Sequence, residues 1–426
     1  MLFQNLAPHP DIGGNSYLVQ LGDTRIVLDA GSHPKHTGKS TVPLYDLLEP
    51  DSIDSIFVTH PHLDHIGSLP CIVRHQPEAA VNMTEGTLEC GTALLHNSVN
   101  VMKAQRKELN ELSYPLYTHR EIDEMVKFWY TQTVGRPFSI GDRDRVRCEF
   151  FRAGHVLGAV GVRMECEGET VFYTGDVHFE NQTVTRKAEF PREKIGTLII
   201  ETTRGDSPRD ENYTREREKR RFAATIAGAL NQGGAVLIPV FAFGKTQEVL
   251  MMLQELFDEG ELPEVPVHIG GLSSKMTMLA DKFSNHAGRL HEGYRFLEDF
   301  PDLHMLKRGR SEPEFRKGEI YALSSGMMAE HTVSNRFARH ILRGPENALL
   351  FVGYADPSTP AGKILASEPG ERVVLDESSG ESFPIDCSVA RFDFSGHATR
   401  EQLADYAVEC SPDRVILVHG DLPAKT

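Results

Sequence analysis

The run HPHLDH at residues 60–65 constrains the fold of this chain more than any other feature of its sequence. It follows an apolar stretch, residues 53–58, whose pattern predicts a strand. Imidazole nitrogens and carboxylate oxygens are good zinc ligands, and this spacing lets one short loop present two pairs of them to two adjacent metal ions. A histidine-rich loop without metal is the alternative, and it is disfavoured because clustered histidines repel one another when protonated. The candidate ligands are His60, His62, Asp64 and His65.

Further polar residues stand at the ends of other predicted strands, where sites are commonly built. They are His155, Asp176, Glu201 and His419. Taken alone, each is more often a loop hydrogen-bonding group than a metal ligand. Combined with the run at 60–65, His155, Asp176 and His419 complete two coordination shells. An aspartate can bridge two metals through its two oxygens, and a hydroxide shared by the metals is a nucleophile at neutral pH.

The charge of the chain limits how it can meet nucleic acid. A length of 426 residues fits about two domains, or one domain inserted in another. The formal net charge of −16 opposes a general nucleic-acid coat, because phosphate binding is usually driven by a basic surface. If RNA is the substrate, positive potential must be local, and bound metal ions can supply much of it.

Neither the cysteines nor the hydropathy pattern points outside the cytoplasm. The six cysteines are scattered without a CxxC pair, which is typical of reduced thiols. Residues 1–10 lack the basic and apolar regions of a secretory signal, and no apolar window reaches the length that spans a bilayer. We therefore expect a cytoplasmic protein with no membrane partner.

The character of the chain changes near Asp206, from strands separated by turns to helices and strands in alternation. That alternation is typical of βαβ units. The charged run at 215–221 alternates Glu with Lys and Arg, which favours a solvated helix face over an RNA contact. The sequence Gly244-Lys245-Thr246 is not a phosphate-binding loop, because Pro239 stands where that loop needs its first glycine.

Several motifs together resemble the metallo-β-lactamase superfamily. They are LDAG at 28–31, the run at 60–65, GHVLGA at 154–159 and YTGD at 173–176. Three later motifs resemble the β-CASP nucleases, the branch related to the nuclease subunit of the cleavage and polyadenylation specificity factor. They are ETTRG at 201–205, FSGHA at 394–398 and VHGD at 418–421. The resemblance covers nearly the whole chain.

The resemblance implies a role for each residue of the site. It implies that His60, His62 and His155 hold one zinc ion, and that Asp64, His65 and His419 hold the other. Asp176 would bridge the two ions, and Asp29 would orient the ligand loop as an acceptor for a ligand histidine. His397 would be the general acid for the leaving oxygen, with Glu201 beside it to hold and charge the imidazole. The implied catalytic residues are thus Asp64, Asp176, Glu201 and His397.

The resemblance also implies an α/β architecture. A metallo-β-lactamase domain, an αβ/βα four-layer sandwich, would comprise residues 1–205 and return over 387–426, interrupted by a β-CASP α/β domain at 206–386. The family continues with more strand and helix after its last histidine, whereas this chain ends at Thr426, so we expect the returning part to be shortened. Arg204 stands where the family usually has tyrosine, and we expect substrate contacts to differ there.

The implied function is zinc-dependent hydrolysis of single-stranded RNA. A hydroxide bridging two zinc ions would attack phosphorus, in an endonuclease, a 5′-3′ exonuclease or both, and a homodimer is compatible with it. His419 favours RNA, since the DNA-processing branch carries valine there. Backbone amides at Ser325, Gly326 and Met327 are candidates for receiving a phosphate oxygen, although a glycine needed only for positive φ is as good an explanation. The alternatives are a small-molecule ester or thioester hydrolase and a non-catalytic RNA-processing subunit.

Overall fold

The apolar runs of the first half of the chain, together with one strand near its carboxyl end, form two six-stranded sheets in a computed structural model that describes residues 1–141, 145–306 and 310–426. By their contacts the described residues divide into two units. The first comprises residues 1–181, 186–209 and 396–426, and the second comprises residues 182–185 and 210–395.

In each sheet of the first unit, most neighbouring strands are also consecutive in the sequence. The first sheet has the order β1-β2-β3-β4-β5-β6 and the second has the order β20-β11-β10-β9-β8-β7. The strands of the first sheet are β1 (Leu2–Asn5), β2 (Tyr17–Leu21), β3 (Thr24–Leu28), β4 (Ser55–Phe57), β5 (Ala80–Met83) and β6 (Tyr130–Thr131). Those of the second are β7 (Phe138–Ile140), β8 (Val146–Arg152), β9 (Val160–Cys166), β10 (Glu169–Tyr173), β11 (Thr197–Glu201) and β20 (Arg414–Val418).

The first unit is a sandwich of four layers. A buried cluster that includes Val19, Phe57, Phe150 and Val162 lies between the two sheets. The other face of the first sheet packs against helices, and Tyr406 of the last helix packs against Phe172 of the second sheet. The helices are α1 (Leu63–Ile66), α2 (Leu69–His75), α3 (Glu85–Glu108), α4 (His119–Met125) and α11 (Arg400–Cys410). This confirms the predicted αβ/βα arrangement.

The strand ends that precede the candidate site residues lie at one edge of this sandwich. Strand β3 is parallel to β4, and β10, β11 and β20 are mutually parallel. Strand β8 runs the same way as β10, because both are antiparallel to β9. The residues that follow β3, β4, β8, β10, β11 and β20 are therefore carried to corresponding ends of their sheets.

The second unit is a parallel sheet between two layers of helices. Its strand order is β14-β13-β15-β12-β16-β19, and every pair is parallel. Strands buried on both faces read as continuous apolar runs, as β16 does. The strands are β12 (Val236–Pro239), β13 (Val267–Gly270), β14 (Leu303–Met305), β15 (Ile320–Leu323), β16 (Ala348–Phe351) and β19 (Ser388–Arg391), with a separate hairpin of β17 (Arg372–Val374) and β18 (Ser382–Pro384). The helices are α5 (Arg215–Asn231), α6 (Lys245–Asp258), α7 (Leu272–Lys282), α8 (Phe296–Asp299), α9 (Val333–Leu342) and α10 (Pro360–Ala366).

The strand predicted over residues 53–58 is confirmed as β4 (Ser55–Phe57), and a capping box of Thr399 and Gln402 opens α11. The apolar pattern does not predict β6 or β14, because the side chains of these edge strands are largely exposed. All six cysteines are free thiols. Among the described helices, none has both the length and the apolar character that crossing a bilayer requires.

Candidate metal centre

The run at 60–65 forms a tight loop and a single helical turn after β4. His62 caps the turn, and α1 contains Asp64 and His65. The neighbouring loop after β3 must approach closely, because a Cβ atom on Gly31 would overlap the carbonyl oxygen of Asp64. The backbone amide of Ala30 also donates to the carbonyl of His65, at 2.8 Å. The glycine of the LDAG motif is thus required by the ligand loop itself.

A first group of ligand atoms consists of three histidines and one aspartate. The Nε2 atom of His155 lies 3.1 Å from Nδ1 of His62. Oδ2 of Asp176 lies 3.4 Å from Nε2 of His60 and 3.6 Å from Nε2 of His155. One atom from each of the four residues lies within 4.8 Å of the others, close enough to surround a single ion.

A second group faces the other oxygen of the same aspartate. Nε2 of His419 lies 3.2 Å from Oδ2 of Asp64, and Nε2 of His65 lies 3.8 Å from that oxygen. Oδ1 of Asp176 lies 3.3 Å from Nε2 of His65 and 3.1 Å from Nδ1 of His419. Each oxygen of Asp176 therefore faces one group, which is the arrangement that a bridging carboxylate needs.

The donor atoms of the centre fit metal ions. Nε2 of His60 and Oδ1 of Asp176 are buried atoms that make no hydrogen bond among the described residues. Buried polar atoms almost always have a partner, and an exception calls for a specific explanation such as an ion. Imidazole nitrogens with carboxylate oxygens are a donor set that zinc accepts. The residues present therefore fit a pair of metal ions.

The protonation states of His60, His155 and Asp176 suit metal binding. The pKa of His65, by contrast, is raised well above its usual range, because the Asp176 carboxylate outweighs the effect of burial. Burial lowers the pKa of His60 well below its usual range, and the neighbouring His65 adds to this effect. Burial, followed by the charge of His397, lowers the pKa of His155 in the same way. Burial opposes ionisation of Asp176, but the nearby His419 and His65 outweigh it and hold its pKa well below the usual range. Neutral imidazoles and an ionised carboxylate are the forms that bind metal.

The buried carboxylate of Asp29 anchors the ligand loop through hydrogen bonds. Its Oδ2 accepts a hydrogen bond from Nδ1 of His65 at 2.8 Å and another from the hydroxyl of Tyr173 at 2.6 Å. Its Oδ1 accepts from the backbone amide of Thr59 at 2.8 Å. Asp29 and His419 both have left-handed φ values, 59° and 47°, a conformation that often marks functional positions. The bond to Asp29 leaves Nε2 of His65 facing the centre.

Glu201 and His397 form a pair beside the first group. Nδ1 of His397 lies 3.2 Å from each carboxylate oxygen of Glu201, which is itself fully buried. Burial opposes protonation of His397, but the Glu201 carboxylate outweighs it and raises the pKa of the imidazole above its usual value. Nδ1 of His397 is 3.9 Å from Oδ2 of Asp176. An imidazole whose protonated form is favoured by Glu201 thus lies next to the candidate metal ligands.

All the residues predicted for the centre lie together in the first unit, whereas Ser325, Gly326 and Met327 lie in the second unit, just after β15. The positive-φ explanation for Gly326 is wrong, because this glycine does not have a positive φ. A Cβ atom there would instead lie 3.0 Å from the ring of Phe241, so the close approach of that ring favours glycine.

Two residues of the surroundings were not predicted from the sequence. The side-chain nitrogen of Asn15 lies 3.2 Å from Nε2 of His65 and donates to the carbonyl of Asp64 at 3.0 Å. The hydroxyl of Thr203 lies 2.9 Å from Nδ1 of His419. Asn15 lies two residues before β2 and Thr203 lies two residues after β11, positions that only a search of every polar residue near a buried strand would include.

Three family models match this chain. The metallo-β-lactamase superfamily model matches residues 9–221 and the β-CASP domain model matches residues 246–364. A model described as a Zn-dependent metallo-hydrolase RNA specificity domain matches residues 382–426.

Curated relatives match nearly the whole chain at modest identity. The transcription termination factor FttA of Methanocaldococcus jannaschii is 29% identical over 96% of this chain. The cleavage and polyadenylation specificity factor 73 of Drosophila melanogaster and the endoribonuclease ysh1 of Schizosaccharomyces pombe are each 28% identical, over 96% and 98% of this chain. The chain spans 65%, 58% and 54% of the lengths of these three relatives.

A solved structure shares the fold. The crystal structure of a protein of unknown function from Enterococcus faecalis V583 matches with a TM-score of 0.58 and 13% identity. The match covers 100% of this chain and 95% of that one.

Proposed function

Because this chain belongs to the metallo-β-lactamase superfamily and carries its β-CASP domain, we propose that it is a zinc-dependent phosphodiesterase that cleaves single-stranded RNA. The observation that carries the proposal is the buried Glu201 carboxylate against His397, next to two groups of ligand atoms that share Asp176. The RNA-specificity description of the match at residues 382–426 and the endoribonuclease among the relatives support RNA as the substrate.

Two zinc ions per chain fit the proposal. His60, His62 and His155 would hold one ion, and Asp64, His65 and His419 would hold the other, with Asp176 between them. When bound, such a pair supplies Lewis acidity and lowers the pKa of a water molecule to near neutrality.

The residues of the chain then have distinct tasks. Asp29 fixes the ring of His65 so that Nε2 faces inward. The backbone carbonyl of Gly396 accepts from Nδ1 of His155 at 2.8 Å and fixes that ring in the same way. Phosphodiester hydrolysis also needs a proton on the departing oxygen, and the site has one donor suited to the task. His397 is charged by Glu201, which accepts at Nδ1, so Nε2 is the atom that delivers the proton.

We also propose the domain bounds, the substrate contacts and the cleavage modes that the family resemblance implies. The β-CASP insert comprises residues 206–386, and amides at Ser325, Gly326 and Met327 contact a substrate phosphate. Cleavage is endonucleolytic, 5′-3′ exonucleolytic or both, and one single-stranded RNA labelled in parallel at either end distinguishes these modes.

The test uses the whole chain with that labelled RNA. We expect cleavage that a chelator abolishes and that added zinc restores. His397→Ala should lose about 10²- to 10⁴-fold in rate, the usual contribution of a general acid, while its zinc content stays that of the parent. His75→Ala is the matched control and should keep the parental rate, because this histidine ends α2 and its Nε2 lies 2.9 Å from the carbonyl oxygen of Leu48.

Two results would contradict the proposal. One is RNA cleavage that neither the chelator nor His397→Ala reduces. The other is a zinc-loaded protein that leaves RNA intact and turns over a carboxylic ester or thioester, since that outcome assigns the centre to small-molecule hydrolysis.

A further inference from the structure

A basic cleft lies at the carboxyl end of α3, in the first unit. It has a volume of 680 Å³ and is lined by residues that include Lys103, Arg106, Lys107, Asn110 and Leu112. All five are exposed on the surface. Leu112 in particular keeps 73% of its surface exposed, so the cleft has an apolar wall beside its positive charges.

The positive charge of this cleft is not neutralised. Among the described residues, no carboxylate forms an ion pair with Lys103, Arg106 or Lys107, and Nη1 of Arg106 donates to the carbonyl of Tyr114 at 2.7 Å. Lys103 and Lys107 are four residues apart on one helix, a spacing at which like charges destabilise the helix. The nearby carboxylate of Glu111 instead accepts from the amide and hydroxyl of Ser113.

Helix α5 of the second unit provides a comparison, because several of its cations form ion pairs. Arg220 pairs with Glu216 at 3.0 Å, and Arg221 pairs with Glu218 at 2.7 Å. Lys219 reaches Glu255 at 3.0 Å. These three cations of α5 are thus matched by acids, whereas Lys103, Arg106 and Lys107 of the cleft are not, within the part of the chain that the structure describes.

The helix dipole explains only part of the cluster. Cations in the last turn of a helix are favourable, which accounts for Arg106 and Lys107. Lys103 lies five residues before Glu108, the last residue of α3, and so stands beyond that turn. Nor does the dipole account for a cleft with an exposed leucine beside the cations.

We propose that this cleft binds the phosphate backbone of single-stranded RNA outside the reaction site. The net charge of −16 repels RNA over most of the surface, so a local group of unpaired cations is where a polyanion is held. The exposed side chain of Leu112 offers apolar surface for a base. The inference rests on the proposed function, since it takes RNA as the substrate.

The cleft is too far from the metal centre to act on the reacting atoms. A Cβ atom on Gly91 of α3 would lie 3.7 Å from Pro61 of the ligand loop. Lys103 and Lys107 lie 12 and 16 residues further along α3, or about 18–24 Å at 1.5 Å per residue. The cleft therefore adds affinity for longer RNA and leaves the chemistry unchanged.

The test compares two charge-matched double variants of the whole chain. One carries Lys103→Gln with Lys107→Gln, and the control carries Lys187→Gln with Lys275→Gln, two exposed lysines outside the cleft. The probe is a fluorescent single-stranded RNA, whose Kd is measured between low and moderate salt. We expect the cleft variant to bind roughly tenfold more weakly at about 0.1 M salt, with a salt slope smaller by about 1.4, or 0.7 per lost phosphate contact.

A small phosphodiester separates this inference from the proposed function. Hydrolysis of bis(p-nitrophenyl) phosphate, which is too short to reach the cleft, should be unchanged in both variants and shows that they are folded. Lys103→Arg with Lys107→Arg should restore the parental Kd, since arginine keeps the charge.

Three outcomes overturn the inference. If the parent cleaves RNA but the cleft variant binds RNA as the control does, the cleft is no RNA site and the proposed function stands. If the parent neither binds nor cleaves RNA, both fail. If only the cleft variant loses binding to polyglutamate while its RNA affinity is parental, the cleft is a site for acidic protein instead.

Discussion

Groups of metal-ligand side chains lie in each of the two units, and they share a close spacing but differ in burial and in hydrogen bonding. In the first unit the groups around Asp176 are formed by buried or half-buried residues. In the second unit Glu330, His331 and Asp376 also bring ligand atoms within 4.8 Å of one another, but two of the three are exposed. The distances between ligand atoms alone would identify the groups of both units as candidate metal sites.

The hydrogen bonds separate the two groups. Oδ1 of Asp376 accepts from the amide and the hydroxyl of Ser378, at 2.9 and 2.6 Å, and Glu330 accepts from the amide of Glu377 at 3.1 Å. Asp176 and His60 each have a buried atom without such a bond among the described residues. The carboxylates of the exposed group are thus hydrogen-bonded by their own loops, whereas the buried group keeps polar atoms without a hydrogen bond to any described residue. The comparison teaches that unsatisfied burial, and not proximity, identifies a metal site.

The largest expected effect comes from Asp176→Asn. The amide keeps the shape of the side chain but loses the charge and one of the two oxygens that face the ligand groups. We expect zinc content to fall below one ion per chain and RNA cleavage to fall by about a thousandfold or more, because both ions depend on this residue. Elemental analysis and initial rates measure the two effects. A variant that keeps two zinc ions would show that Asp176 is no bridge.

A smaller effect is expected from Asp29→Asn, which removes the carboxylate behind His65. Removing such a partner typically costs about 10- to 100-fold in metal affinity. Competition with a chelator of known affinity measures this loss. Tyr173→Phe is the matched control, because it removes one hydrogen bond to the same carboxylate and leaves the bond to His65 in place. Equal losses in the two variants would contradict an orienting role for Asp29.

The smallest effect is expected from His331→Ala in the exposed group. The side chain lies on the surface, so the free energy of unfolding should change by no more than about 0.5 kcal/mol. Zinc content and RNA cleavage should equal those of the parent. Loss of one zinc ion from this variant would contradict the comparison. It would show that the exposed group binds metal although its carboxylates already accept hydrogen bonds.

The ligand loop could be predicted from the sequence because its geometry is local. The HxHxDH spacing places its ligands on one short loop, and no distant contact is needed to recognise it. The ends of β8, β10 and β20 could be predicted too, since β8 alternates buried with less buried residues and the other two contain apolar runs, buried in β10 and largely exposed in β20. The four-layer sandwich followed from the resemblance and is confirmed.

Contacts between distant residues could not be predicted from spacing. Glu201 and His397 are 196 residues apart, and only the family resemblance suggested that they meet. Asn15 was missed because one polar residue before a strand has no distinctive pattern. The basic cleft of α3 was missed because its neutralisation depends on which acids the fold brings near. The positive-φ alternative for Gly326 was wrong, since the ring that favours glycine there, Phe241, lies far from it in sequence.

The central claim is that two ions held by one shared aspartate make this chain an RNA hydrolase. The most direct measurement titrates zinc into metal-stripped protein and follows cleavage of single-stranded RNA against bound zinc per chain. The account predicts no cleavage without metal and a rise that levels off at two zinc ions per chain. Full cleavage by the stripped protein, or no cleavage at two bound ions, would contradict it.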